Sequence, residues 1–237
     1  MAFGERVVFR ALSCAFPRGR ITVILGGSGS GKSTVLRLVA GLVRPQAGRI
    51  VVAGDEITGL GERDLMRIRR RLGMMFQGGA LLDSLTVLDN LAFPLREHTR
   101  LGERAIAEAV HARLDAVGLR DVDTLLPGQL SGGMLKRVAL ARAMMLDPVI
   151  LLCDEPFSGL DPISVRRIEK LLVHTNQALA ITMLVVSHDV ASTLRMADHV
   201  VLLLGGQVLS GTPAELMQSH DPAVRAFLGE DVAEAVA

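Results

Sequence analysis

The consecutive residues Gly26-Gly27-Ser28-Gly29-Ser30-Gly31-Lys32-Ser33-Thr34 fit the spacing G-x-x-x-x-G-K-[ST]. Glycines let a backbone take positive φ and wrap an anion, so that successive N–H groups and a helix N-terminus point at phosphates. Lys32 adds a mobile positive charge for β- and γ-phosphates, and Ser33 offers a hydroxyl to Mg²⁺. The stretch follows the apolar run Ile21-Thr22-Val23-Ile24-Leu25 and precedes a helical run from Thr34 to Ala40. A flexible Gly/Ser linker has no reason to be bracketed in this way.

Other residues could act on the same ligand. The run Val149-Ile150-Leu151-Leu152-Cys153 reads as a buried strand and ends in Asp154-Glu155. Ligand crevices of open α/β sheets lie at such strand ends. Adjacent acids on an extended chain point to opposite sides, so one can face a metal and the other a water. Leu130-Ser131-Gly132-Gly133 opens a helix, which reads as a second anion-binding device or as a plain N-cap. Gln77 closes the strand 73–77, and His188 follows the strand Met183–Val186. Taken singly, each is a solvated residue or a site residue.

The elements around these residues alternate between strand and helix signals. Residues 6–9 and 11–16 read as short strands before the turn Pro17-Arg18-Gly19-Arg20, and 49–53 as another strand. Residues 64–72 form a helix whose Arg67, Arg69, Arg70 and Arg71 read as a solvated face. From 86 to 143 the pattern is helical, with Ile106, Val110, Leu114 and Val117 at core spacing and Gly118 as the stop. Asp161-Pro162 starts a helix to about Leu179. Val200–Leu204 and Gln207–Leu209 flank Gly205-Gly206 as a hairpin, and Thr212-Pro213-Ala214-Glu215 is a capping box. An Ala/Glu-containing tail follows Gly229.

The chain has 237 residues, 49% of them hydrophobic, enough for a full core. Basic and acidic residues nearly balance at a net +1, which leaves no net field for nucleic acid. Cys14 and Cys153 are the sole cysteines, and Cys153 sits in an apolar run, so neither a disulfide framework nor a zinc site is expected. No signal peptide and no apolar run of membrane-spanning length is legible, so a cytoplasmic protein is expected. A mean hydropathy of +0.38 without Trp or Tyr points to a surface covered by a partner.

Taken in order, the phosphate loop, Gln77, Leu130-Ser131-Gly132-Gly133, Asp154-Glu155, Ser158-Gly159-Leu160-Asp161 and His188 resemble the ATPase subunits of ABC transporters over nearly the whole chain. The segment from Phe76 to Thr99, Asp161-Pro162-Ile163 and Met134 are similar to the Mla-type, or toluene-tolerance, ATPases that power phospholipid traffic between bacterial membranes. The resemblance implies an α/β fold: a RecA-like P-loop core with an antiparallel β subdomain and a helical insert. It implies one domain, with a β-rich and P-loop core at 1–77, a helical subdomain at about 78–147, the second half of the core at 148–211 and a C-terminal helical segment at 212–237.

The same resemblance implies ATP and Mg²⁺. Asp154 would hold Mg²⁺ with Ser33 and Gln77, Glu155 would orient the attacking water, and His188 would meet the γ-phosphate. Ser131, Gly132, Gly133 and Asp161 would serve the nucleotide of the opposite subunit in a head-to-tail homodimer. Phe3 is the candidate for stacking on adenine, although the family's first strand should precede it. Met134 replaces the glutamine of the general signature. The implied partners are an integral-membrane permease and a lipid-binding substrate protein, at the cytoplasmic face of the inner membrane. Leu81 and Leu82 would either dock a permease helix or fill the core of the insert. An importer ATPase for another solute is the rival within this class, and a soluble non-transport ABC ATPase the rival outside it. That last class, which includes nucleic-acid-handling members, lacks its expected coiled coils or tandem halves here.

Overall fold

A computed structural model describes residues 1–4 and 6–236, with the side chains of 3, 6 and 230–236 outside the description. In chain order the elements are β1 Ala2–Phe3, β2 Arg6–Val7, β3 Ile21–Gly26, α1 Lys32–Val39, β4 Val51–Val52, β5 Asp55–Glu56, α2 Glu62–Arg69 and β6 Leu72–Met75. Then come α3 Val87–His98, α4 Glu103–Ala116, a 3-10 turn at Pro127–Gln129, α5 Gly132–Ala143 and β7 Ile150–Asp154. The chain ends with α6 Pro162–Leu179, β8 Thr182–Val186, α7 Val190–Met196, β9 His199–Leu204, β10 Gln207–Gly211, α8 Pro213–Met217 and α9 Pro222–Val236.

One six-stranded sheet carries the molecule, in the order β10-β9-β3-β8-β7-β6. All pairings are parallel except the β9–β10 hairpin at the edge. Gly205 and Gly206 turn that hairpin with φ of 53° and 83°, the left-handed pair that a tight two-residue turn needs. Because side chains alternate along a strand, each central strand feeds two cores. Ile21, Val23 and Leu25 join Leu151, Cys153, Met183 and Val185 on the face covered by α5, α6 and α7. Ile24, Leu152, Leu184 and Val186 join Val35 and Leu36 of α1 on the other. Full burial on both faces explains why these strands read as continuous apolar runs. Burial at ~1.5–3 kcal/mol per aliphatic side chain on both faces gives the strand ends a firm base.

A separate helical core contains Leu91, Leu95, Ile106, Val110 and Leu114 of α3 and α4. Helix α5 and the turn after it belong to both units: Val138, Ala141 and Met145 face the helical core, whereas Ala139, Leu140 and Met144 face the sheet. Residues 11–16 correct the sequence reading. Leu12, Cys14 and Phe16 do alternate inward onto the α1 side of the sheet, but the segment pairs with no strand among the described residues. The alternation was legible; the partner was not, and without one an extended segment has no ladder. The expected strand at 49–53 shrinks to β4, paired over two residues with β5. No helix among the described residues is long and apolar enough to cross a membrane.

Candidate functional site

The ends of β3, β8 and β7 lie side by side in the sheet, and α1 follows the first of them. Between β3 and α1 the chain turns through Gly26, Gly29 and Gly31, with φ of 152°, 77° and 97°. Glycine is obligatory at 31, because a Cβ there would lie 2.4 Å from the Phe9 ring and 2.6 Å from Val8. Gly31 is also the N-cap of α1, with no side chain capping it, so the first N–H groups of the helix stay open to a ligand. Lys32 is buried and its Nζ donates to the carbonyls of Gly26 (2.7 Å) and Gly27 (3.1 Å). The Ser30 hydroxyl is buried and has no hydrogen-bond partner within the described residues. A cavity of about 540 Å³ opens here, lined by Ser28, Gly29, Gly31, Lys32, Ser33, Thr34, Gln77, Glu155 and His188, with Val8 on its wall.

Folding brings the two halves of the sequence together at its floor. Ser33 Oγ donates to Asp154 Oδ1 at 2.8 Å across 121 residues of chain. Glu155 Oε2 lies 2.9 Å from His188 Nδ1. The Glu155 side chain is only 12% exposed and that of His188 70%, so the acid sits inside the site while the imidazole covers it from the solvent side. Glu155 also has φ 49°, a left-handed value that costs a non-glycine residue ~1–2 kcal/mol. Its N–H donates to Val186 at 2.9 Å and its carbonyl accepts from Ser158 Oγ at 3.0 Å, which holds the strained turn in place.

The donor set fits the ligands the sequence suggested. An orphan hydroxyl, a capless helix start and a buried ammonium suit phosphate oxygens. Hydroxyl, carboxylate and amide oxygens from Ser33, Asp154 and Gln77 suit a hard divalent cation. Among the described residues no cluster of His, Cys, Asp and Glu forms a metal cage by itself. A site completed by phosphates is how Mg²⁺ is ordinarily held.

Some of the proposed residues lie elsewhere. Ser131 and Gly132 are exposed at the start of α5, outside the cavity, where Ser131 Oγ accepts from Met134 N at 3.3 Å. Asp161 is likewise outside and is occupied as the cap of α6, accepting from the N–H groups of Ile163 and Ser164 at 3.0 Å. The Ser164 hydroxyl, then those backbone N–H groups, hold its carboxyl below the usual range. The two starts adjoin, since a Cβ on Gly133 would meet Ser164 Oγ at 3.2 Å. The Phe3 side chain lies outside the described residues. Leu81 packs against the helical core, whereas Leu82 is 41% exposed.

Sequence reasoning missed several residues. Val8 and Phe9 press on the phosphate loop, which apolar residues in a short N-terminal strand gave no signal of. Asn90 is fully buried and grips the loop after Gln77: its Oδ1 accepts from Leu82 N at 2.8 Å, and its Nδ2 donates to the carbonyls of Leu82, Leu85 and Thr86 at 3.0 Å. Lys136 is buried beneath Gln77 and Glu155.

This geometry is accompanied by clear likeness to known proteins. The family profile described as "ABC transporter" matches residues 9–158. The intermembrane phospholipid transport system ATP-binding protein MlaF of Haemophilus influenzae is 46% identical over 226 residues, 95% of this chain and 86% of that protein. MlaF of Escherichia coli K12 is 44% identical, covering 95% and 84%. A solved ATP-binding cassette, a dimer in a post-hydrolysis state bound to ADP and Pi, superposes with a TM-score of 0.80 at 30% identity, covering 87% of this chain and 90% of that one. With a phosphate loop, two strand-end acids and a facing histidine gathered on a parallel sheet, this chain belongs to the ABC transporter family as one of its ATPase subunits.

Proposed function

We propose that this chain hydrolyses ATP in a homodimer that drives a membrane permease moving phospholipid between bacterial membranes. The observation that carries the hydrolytic reading is the buried Glu155 carboxylate, paired with His188 beside the Ser33–Asp154 contact. Support for the cargo is the likeness to MlaF, which extends over nearly the full length of both chains. In this reading 1–237 is one ABC ATPase domain with its helical subdomain at about 78–147. The chain works at the cytoplasmic face of the inner membrane through its permease, with a lipid-binding substrate protein in the same system.

Lys32 exchanges the carbonyls of Gly26 and Gly27 for the β- and γ-phosphates, and the loop N–H groups orient the chain of phosphates. Ser33, Asp154 and Gln77 would hold Mg²⁺, which when bound neutralises charge on the phosphates. Glu155 orients a water for attack on the γ-phosphorus and accepts its proton as the bond to the bridging oxygen breaks, giving ADP and phosphate. His188 is close enough to fix that carboxylate and exposed enough to reach the γ-phosphate. Ser131, Gly132, Gly133 and Asp161 act on the partner subunit's nucleotide, and Phe3 on adenine.

Glu155→Gln tests the hydrolytic reading. Turnover should fall ~10²–10⁴-fold, the usual worth of a positioned base, with ATP binding retained. Wild-type turnover in the variant overturns it. Co-purification of the chain with its membrane partner, followed by lipid analysis, tests the cargo; a complex devoid of phospholipid counts against it.

A further inference from the structure

Lys136 stands at the junction of three site segments. Its Nζ donates to the Gln77 carbonyl, to the Glu155 carbonyl at 3.3 Å and to Ser158 Oγ at 3.2 Å. An ammonium has three N–H donors, and here each has an acceptor. The residue is 5% exposed, and the other buried residues of its helix, Val138, Ala139, Leu140 and Ala141, are all apolar. Burial pushes its pKa down, and the nearby carboxylates of Glu155 and Asp154 pull it back up. Filling this space with Leu or Met would have avoided the desolvation of a charge. What an apolar side chain would lack is a grip on two carbonyls from different loops.

Those loops are the ones that matter for hydrolysis. The Glu155 carbonyl belongs to the left-handed residue that bears the catalytic carboxylate, so fixing that peptide fixes where the carboxylate points. The Gln77 carbonyl begins a loop that α5 holds again through Arg142, which donates to the carbonyl of Ala80. Asn90 of α3 holds the same loop at Leu82, beside the exposed leucine side chain. We propose that Lys136 is a positioning residue that ties the carbonyls of Gln77 and Glu155 to one buried ammonium and thereby fixes the direction of the carboxylate that orients water.

The inference rests on Glu155 as the group that orients water, and its test keeps the two apart. In the full chain, Lys136→Met removes all three donors at similar length. Steady-state ATP hydrolysis should lose about tenfold or more in kcat with KM for ATP within about threefold, because a small misplacement of a catalytic group is costly while the phosphate cradle is untouched. Lys136→Gln or Lys136→Arg, each keeping a donor, should recover at least about a third of the wild-type kcat. Ser158→Ala, which spares the charge and removes one acceptor, should lower kcat about threefold at unchanged KM, and it serves if the methionine variant does not fold. The inference is overturned if Lys136→Met keeps kcat within about twofold, if neither donor-bearing variant recovers activity, or if Ser158→Ala turns over like wild type. Glu155→Gln assayed in parallel separates the cases: wild-type turnover there sinks the reading of Glu155 itself, whereas loss there with an active Lys136→Met sinks only the role of Lys136.

Discussion

Two helices in this chain open on glycine and serine, α1 at Lys32 and α5 at Gly132, and they differ in what surrounds them. The start of α1 is enclosed: Gly31 has no room for a Cβ, Lys32 is buried, and Ser33 meets Asp154. The start of α5 is open, with Ser131 and Gly132 exposed and a Cβ on either Gly132 or Gly133 meeting nothing closer than 3.2 Å. Glycine at 31 is therefore demanded by the chain's own packing. At 132 the fold of one copy makes no such demand, and at 133 the tight neighbour is the Ser164 side chain, which can give. In the proposed dimer α5 would face the partner subunit's nucleotide, where glycine would let the backbone come close to it.

Ser131→Arg should have the largest effect. Turnover should fall ~10²-fold or more, as when a preorganised donor is lost from a reacting centre, while the single chain still binds ATP. Mixed with Lys32→Ala protein, each heterodimer keeps one site with both Lys32 and Ser131 intact, and activity should return in the mixture. Full activity of Ser131→Arg alone refutes a shared site.

Substituting the glycines sharpens the contrast through stability. Gly31→Ala should cost about 3 kcal/mol in chemical denaturation, from left-handed strain plus overpacking against Phe9. Gly132→Ala should leave stability within about 1 kcal/mol of wild type, or raise it slightly, because alanine is the better helix former. Its ATP turnover should nonetheless fall. Equal melting shifts for the two variants would contradict the difference drawn between the helix starts.

The smallest effect concerns Asp161 at the neighbouring start of α6. Hydrogen bonds from the Ser164 hydroxyl and from the N–H groups of Ser164 and Ile163 depress its pKa in the folded state. A group of this sign adds stability above its unfolded pKa and loses it as pH falls through its folded pKa. The melting-temperature gap between wild type and Asp161→Asn should be widest near neutrality and close in acid. A gap that widens toward low pH would reverse the assignment.

Much of the site was legible because its parts are local. The loop at 26–34, the N-cap at Ser131, the cap at Asp161 and the capping box at Thr212–Glu215 all came from residues within a few positions of one another. Lys136 was not legible: a lysine in a helix reads as solvated, and its burial depends on what Gln77, Glu155 and Ser158 do in other loops. Asn90 was hidden for the same reason, its partners being backbone groups of a loop with no regular pattern. For residues 11–16 the alternation gave the inward side chains of Leu12, Cys14 and Phe16 but carried no information about a pairing strand.

Neighbours along the chain were enough for the glycine-rich stretch at 26–34, the buried run at 149–153 and the starts of several helices, because glycine, caps and apolar periodicity act locally. Tertiary structure alone decided that Ser33 meets Asp154 across 121 residues and that His188 meets Glu155 across 33. It also decided that α5 holds an ammonium under both. Contacts at such separations are fixed by the order and register of the strands β3, β7 and β8, and register follows from the packing of whole faces rather than from any one residue.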